Sequence, residues 1–389
     1  ALTHTFTVAM PLMCLPVLFK EISEDLGLSL VQIGAIWGIG ALAGIFTSLI
    51  GGAIGDRFGT KRTLTIACLL AGVAGALRGV SDDFVTLMAT VFLFGLLLPV
   101  IPMNVHKTCG VWFSRRRLGL ANGVASMGMA LGFMAGSMIS ATILSPWLGG
   151  WRNVLFVYGA ISIAISIPWR FTRPASGNVE SSAGAAHPKS PRQTLSRVVH
   201  LRNVWLLGFA ILGIGGCIQG MLGYLPLYLR GIGWPEASAD GALATFHGVS
   251  MIFVIPLALL SDKLGSRKVV LMAATVMITI GVGLLSVVDG PPLVWGSIIM
   301  AGLVRDGFMA IFMTMIIETA GVGAAYAGTA MGLVMVFSGL GNLISPPLGN
   351  SLADIDPSLP FIFWAALAAM GFLGLYFTQE GGARFAPNG

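Results

Sequence analysis

The stretch from Gly52 to Leu64 reads GAIGDRFGTKRTL. It sets one acid, Asp56, among three bases, Arg57, Lys61 and Arg62. Apolar runs flank this polar break, at residues 29–54 before it and 63–80 after it. Each run is long enough to cross a bilayer core as a helix, which takes about 20 residues. A polar break this short between two such runs is a turn at the membrane surface. Glycine there permits a tight bend and a close approach of two helices.

Ten further apolar runs follow the same rule. With the first two they predict twelve spans, near 1–19, 29–54, 63–80, 84–106, 118–145, 152–171, 203–229, 238–260, 269–288, 293–317, 322–350 and 358–378. Composition agrees: 56% of the 389 residues are hydrophobic and 10% are charged. A soluble domain carries about 25% charged residues, so this chain lacks the polar skin of one. The first span begins at Ala1, which places the natural N-terminus upstream. No charged leader or cleavage site precedes the apolar run, so a cleaved signal peptide is not expected.

Lysine and arginine collect in the breaks after spans 2, 4, 6 and 8. They include Lys107, Arg115 to Arg117, Arg170, Arg173, Lys189, Arg192, Arg197, Arg202, Lys263, Arg267 and Lys268. The opposite breaks hold Lys20, Arg78, Arg152 and Arg230. They also hold most of the acids, among them Glu21, Glu24, Asp25, Asp82, Asp83, Glu236, Asp240, Asp289, Asp354 and Asp356. The bias of bases toward the cytoplasm predicts that both termini face it, in a multi-pass protein of the plasma (inner) membrane. It also accounts for the net charge of +6, with no nucleic-acid partner needed. Arg78, at an outer helix end, is expected to snorkel.

Cys14, Cys68, Cys109 and Cys217 are scattered and form no CxxC pair or zinc spacing, so they read as packing residues. No phosphate-binding GxxxxGK[ST] loop is present, and no cluster with metal-ligand spacing. The expected protein is no enzyme, uses no cofactor or metal, and works as a monomer.

The chain is written twice. GAIGDRFGTKRTL is matched by ALLSDKLGSRKVV, Ala258 to Val270, after span 8. LPVLFK, Leu15 to Lys20, is matched by LPLYLR, Leu225 to Arg230. Gly119, Gly123 and Gly132 share their spacing with Gly328, Gly332 and Gly341. Between the copies lies a Ser-, Ala-, Pro- and base-rich segment that reads as a flexible linker. The expected organisation is a six-helix bundle at 1–171, a cytoplasmic linker at 172–202, and a second six-helix bundle with a short tail at 203–389.

The pattern of Gly52, Asp56, Arg57, Gly59, Lys61 and Arg62 resembles the signature loop of the major facilitator superfamily. The second copy keeps Asp262, Lys263, Gly265, Arg267 and Lys268, with Ala258 for the first glycine. GWRNVLFVYG, Gly150 to Gly159, resembles the start of helix 6 in that superfamily. The resemblance implies an all-α membrane protein of two pseudo-symmetric bundles, the major facilitator fold, and transport by alternating access. It also implies a central cavity lined by spans 1, 4, 7 and 10. An acid at a helix end can pair with a base or a helix terminus, so Asp56, Arg57, Lys61, Arg62, Asp262, Lys263, Arg267 and Lys268 are candidates for a cytoplasmic gate.

One stretch argues for a ligand. MAGLVRDGFMAI, Met300 to Ile311, sets Arg305 beside Asp306 in the middle of span 10. Each charge at the centre of a membrane helix costs roughly 2.5–3.5 kcal/mol on insertion scales, so such residues are functional candidates by default. Adjacent helical residues point about 100° apart, so one is expected to face the cavity and the other a neighbouring helix. Arginine offers a planar fork suited to a carboxylate. Arg305 is thus the candidate anion ligand and Asp306 its orienting group or proton carrier. Gln219 and Tyr224 in span 7 are further substrate-binding candidates. His247 in span 8 is a candidate for substrate binding or proton coupling. The alternative reading of Arg305 and Asp306 is a structural ion pair.

VWFSRRRLGLANG, Val111 to Gly123, resembles the helix 4–5 connection of oxalate, monocarboxylate, cyanate and nitrate porters. Span 2 lacks the arginine of the nitrate porters. Span 8 has His247 and no arginine, unlike oxalate and monocarboxylate carriers. The expected substrate is a small organic anion, moved with protons or against a counter-substrate. The alternatives are efflux of amphipathic compounds, for which the 19 methionines would supply adaptable walls, and a membrane sensor that binds without transporting.

Overall fold

The structure is a computed structural model. It describes residues 1–172, 191–288 and 290–380, apart from the side chains of 48–53, 56, 115, 116, 191–194, 324 and 325. Among the described residues every regular element is a helix, and twelve helices are long and apolar enough to cross a membrane. Spans 1 to 6 are His4–Leu26, Leu30–Phe58, Thr60–Val80, Phe84–Trp112, Arg117–Leu148 and Trp151–Phe171. Spans 7 to 12 are Arg202–Gly231, Glu236–Leu264, Arg267–Leu284, Pro291–Glu318, Gly323–Leu352 and Leu359–Phe377.

All twelve expected spans are present. The largest boundary shift is in span 1, which runs to Leu26 instead of ending near residue 19. Its charged last turns look like a break in the sequence, yet Ile22 among them is fully buried. Gly27, at φ +61°, stops the helix. Span 2 then starts on a capping box, in which Ser29 Oγ accepts from the Gln32 amide and Gln32 Oε1 accepts from the Ser29 amide. The stretch expected as a linker includes a helix, Pro191–Val199, and Trp205 Nε1 donates to the Val199 carbonyl at 2.7 Å. Residues 173–190 lie outside the described residues.

The duplication is visible in detail. Both repeated turns are made by a glycine with positive φ, Gly59 at +79° and Gly265 at +66°, a conformation that any Cβ would strain. Gly132 in span 5 packs so close to span 1 that a Cβ would lie 2.9 Å from the Thr5 carbonyl oxygen. Its counterpart Gly341 in span 11 packs likewise on span 7, with a Cβ 2.2 Å from the Leu212 carbonyl oxygen. Gly213 and Gly220 in span 7 serve packing too, against the Leu367 carbonyl and the Trp364 indole. Small residues at membrane helix interfaces allow this approach.

Several spans are broken. Pro99 separates Phe84–Leu97 from Val100–Trp112 in span 4, because proline has no amide proton for the helix ladder. Span 1 opens on a π-helical turn, His4–Ala9, just before Pro11. Span 5 carries a second one, Ser140–Leu144. Single π turns in helices frequently mark functional sites.

Contacts divide the chain into two compact units. The first holds spans 1 to 6 with residues 222–248 and 346–357, which are the ends of spans 7, 8 and 11 that border the acidic breaks. Its core includes Leu64, Cys68, Phe94 and Ile101. The second holds the remainder of spans 7, 8 and 11 with spans 9, 10 and 12.

Candidate functional site

The charged pair of span 10 lies in the second unit. Arg305 Nη1 donates to Asp306 Oδ1 at 2.5 Å, and the side chains keep 23% and 28% of their surface exposed. The expectation that the two would point apart is corrected. The arginine side chain is long enough to fold back across the 100° between neighbouring positions. The Asp306 amide donates to Ser250 Oγ at 3.0 Å, which ties span 10 to span 8 at this level. Gly307 packs on the Leu257 side chain one step further on, where a Cβ would come within 2.6 Å of it. The pair therefore sits at a tight seam between spans 8 and 10 and is partly exposed.

The other binding candidates are placed differently. His247 is 1% exposed, with its ring 5.3 Å from Phe133 and 5.5 Å from Phe246. Tyr224 is buried, and its hydroxyl donates to the Pro357 carbonyl at 3.1 Å, so it ties the end of span 7 to the turn after span 11. Gln219 is half-buried on span 7, in the second unit. A polar cluster joins spans 1, 4 and 5: His4 Nδ1 lies 2.8 Å from the Ala125 carbonyl, and its ring is 5.3 Å from that of His106. His106 Nδ1 lies 3.0 Å from Asn122 Oδ1.

The gate candidates divide between the two copies. In the second copy Arg267 pairs with Asp262 and reaches Glu318, at the end of span 10, at 3.5 Å. Lys268 Nζ donates to the carbonyls of Tyr376 at 2.6 Å and Thr378 at 2.8 Å, which closes the end of span 12. Lys263 is exposed. These partners all belong to the same half of the chain. In the first copy Arg57 is exposed, with its guanidinium 5.5 Å from the Phe58 ring, while Lys61 and Arg62 line a cavity with Arg170. The side chain of Asp56 lies outside the described residues.

The strongest polar network is one that the sequence reading treated as topology signal. Arg230, at the end of span 7, pairs with Asp240 of span 8 at 2.6 Å, and both side chains are buried. Arg230 Nη1 also donates to the Val17 carbonyl of span 1 at 3.0 Å. The other oxygen of Asp240 accepts from Thr142 Oγ1 at 2.6 Å, and Thr142 lies in the π turn of span 5. Around it, Ser145 Oγ donates to Glu21 at 2.5 Å, and Asn350 Nδ2 of span 11 donates to the Leu30 carbonyl at 2.8 Å. Arg152 bridges Asp25 and Asp82. All these groups belong to the first unit. Together they fasten the ends of spans 7, 8 and 11 to spans 1, 2 and 5.

Arg78 corrects a further expectation. It does not snorkel: it is 0% exposed, donates from Nη1 to the Pro11 carbonyl at 2.8 Å, and lies 4.2 Å from the centre of the Phe94 ring. It braces span 1 beside Pro11. A guanidinium there is tolerated because carbonyls and an aromatic face replace part of its hydration.

Twelve apolar helices, a duplicated half and a signature loop at both copies define a membrane transporter class. The sequence matches the family model of the Major Facilitator Superfamily over residues 2–329 and 249–388, and the chain belongs to that family. It is 24% identical to the Probable sulfoacetate transporter SauU of Cupriavidus necator, over 92% of this chain and 87% of that protein. It is 23% identical to the Probable nitrate/nitrite antiporter NarK1 of Thermus thermophilus, over 93% and 86%. Among solved structures it superposes on a bacterial homologue of the human lysosomal transporter Spinster, in an inward-facing and occupied conformation. The TM-score is 0.76 at 13% identity, with 97% and 96% of the two chains covered. These relatives and neighbours are transporters, not enzymes.

Proposed function

We propose that this transporter moves a small organic anion, a carboxylate, by alternating access, with proton coupling or exchange against a counter-substrate. The observation that carries the reading is the Arg305–Asp306 pair, partly exposed in the middle of an apolar span. The names of the relatives, a sulfoacetate carrier and a nitrate/nitrite antiporter, support an anion.

The chemistry follows from the pair. Asp306 holds the guanidinium while no substrate is bound. A substrate carboxylate competes for the same planar fork of donors. When it displaces Asp306, the released carboxylate takes a proton, which keeps the number of buried charges balanced. Anion binding and proton uptake are then linked at one place. Gln219 remains a substrate-binding candidate, and His247 a candidate for substrate binding or proton coupling. Tyr224 remains a substrate-binding candidate, although its hydroxyl already serves the Pro357 carbonyl.

Alternating access needs the two ends to open in turn. We assign the Arg230–Asp240–Thr142 network to closure at the acidic end. The repeated loops, with Asp56, Arg57, Lys61, Arg62, Asp262, Lys263, Arg267 and Lys268, are assigned to the cytoplasmic end. The bias of bases supports both termini facing the cytoplasm; we propose further that this multi-pass protein sits in the plasma (inner) membrane and acts as a monomer.

Uptake and counterflow in proteoliposomes test this. Competition by short carboxylates is the expected result. Competition by hydrophobic cations instead would make it an efflux carrier for amphipathic compounds. Measurable carboxylate binding without counterflow would make it a sensor.

A further inference from the structure

The two repeated loops end in the same kind of place, at the start of the third span of each half, and among the described residues their cations have different surroundings. In the second half, the cations Arg267 and Lys268 stand among acids supplied by the chain. Glu318 faces Arg267 at 3.5 Å. Glu380, just past span 12, accepts from Ser266 Oγ at 2.8 Å and from the Lys268 amide at 3.1 Å. In the first half, the matching residues Lys61 and Arg62 line a cavity of about 490 Å³ with Thr65, Ile66 and Arg170. Arg170, in the last turn of span 6, takes a place comparable to that from which span 12 delivers Glu380. The described lining holds three cations and no carboxylate. Three like charges around one concavity repel, so this arrangement favours an anion from outside the chain.

The surface next to the cavity indicates which anion. Ile66, Leu69, Leu70 and Val73 on span 3 are 56%, 40%, 47% and 43% exposed, and Ile167 and Phe171 on span 6 are 55% and 77% exposed. An apolar strip therefore runs down the two spans from the basic cavity. A free phosphate would use only the cations, whereas a phospholipid uses both features. We infer that Lys61, Arg62 and Arg170 form a binding site for the phosphate headgroup of an anionic phospholipid, whose acyl chains lie along spans 3 and 6. Among the described residues, the second half sets Glu318 and Glu380 beside its matching cations. The site is separate from the span 10 pair. It depends on the proposed orientation only for its leaflet, which would be the cytoplasmic one.

The test is a melting titration of the full-length protein in detergent with phosphatidylglycerol, phosphatidylcholine or inorganic phosphate. Phosphatidylglycerol is expected to raise the melting temperature, with the other two having little effect. Arg170→Gln is expected to weaken the response about fivefold, the effect of one cation near an anionic headgroup. Arg170→Glu copies the second half. It should melt higher than the parent in neutral detergent and lose the phosphatidylglycerol response. An Arg170→Glu variant that responds as the parent does would overturn the site. A response reproduced by inorganic phosphate alone would overturn its assignment to a lipid. If Arg170→Glu fails to fold, an unchanged response in Arg170→Gln overturns the site equally. None of these outcomes bears on whether a carboxylate is carried.

Discussion

The arginine–aspartate pairs Arg230–Asp240 and Arg305–Asp306 have different settings. Arg230 and Asp240 come from different helices, meet at 2.6 Å and keep 4% and 0% of their side-chain surface exposed. Each has a further protein partner, the Val17 carbonyl for the arginine and the Thr142 hydroxyl for the aspartate. Arg305 and Asp306 are neighbours on one helix, at 2.5 Å, and are 23% and 28% exposed. The first pair joins spans 7 and 8 and, through Val17 and Thr142, ties them to spans 1 and 5. The second is a pair of neighbours on one helix with more of its surface exposed, and we propose that a ligand competes for it. We propose that charges inside a membrane span divide into scaffold and site, and that the deeper burial of the first pair marks it as scaffold.

The largest effect should come from breaking the fastened pair. Asp240→Ala leaves the Arg230 guanidinium buried without its carboxylate and is expected to cost roughly 3–5 kcal/mol. Replacing both partners, as Arg230→Met with Asp240→Ala, should recover much of that loss in a denaturant melt. Near-parental stability of Asp240→Ala alone would place the pair in the same class as the span 10 pair. A smaller effect is expected from Thr142→Val, which keeps the shape but removes one donor from Asp240. It should cost about 1 kcal/mol, and a neutral result would show that the π turn in span 5 is not held by this bond. The smallest effect on stability should come from the second pair: Asp306→Asn should shift the melt by less than about 1 kcal/mol. Its consequence should be functional, with uphill uptake reduced more than exchange. Equal loss of both would make Asp306 a general binding residue and not the proton carrier.

The sequence made the spans legible because hydropathy over about 20 residues is set by the bilayer and not by tertiary contacts. The duplicated turn was legible too, since Gly59 and Gly265 are required by their positive φ. What it hid were contacts between residues distant in the chain. Thr142 lies 98 residues from Asp240, and Val17 lies 213 from Arg230. A usable signal was present nevertheless: Asp240 falls within the expected span 238–260, and Arg78 within 63–80, so both were intramembrane charges by position. Reading them with the loop charges missed the cost of burying them. For span 10 the sequence located the charges but not their direction, because the reach of arginine overrides helical spacing.

The central claim, that Arg305 receives the transported anion, is tested most directly by carboxylate uptake into proteoliposomes carrying Arg305→Ala at matched protein density. Losing a charge-assisted hydrogen bond of about 1.5–3 kcal/mol predicts uptake at least about tenfold lower, with the protein melting close to the parent. Uptake near the parental rate in that variant would contradict the account.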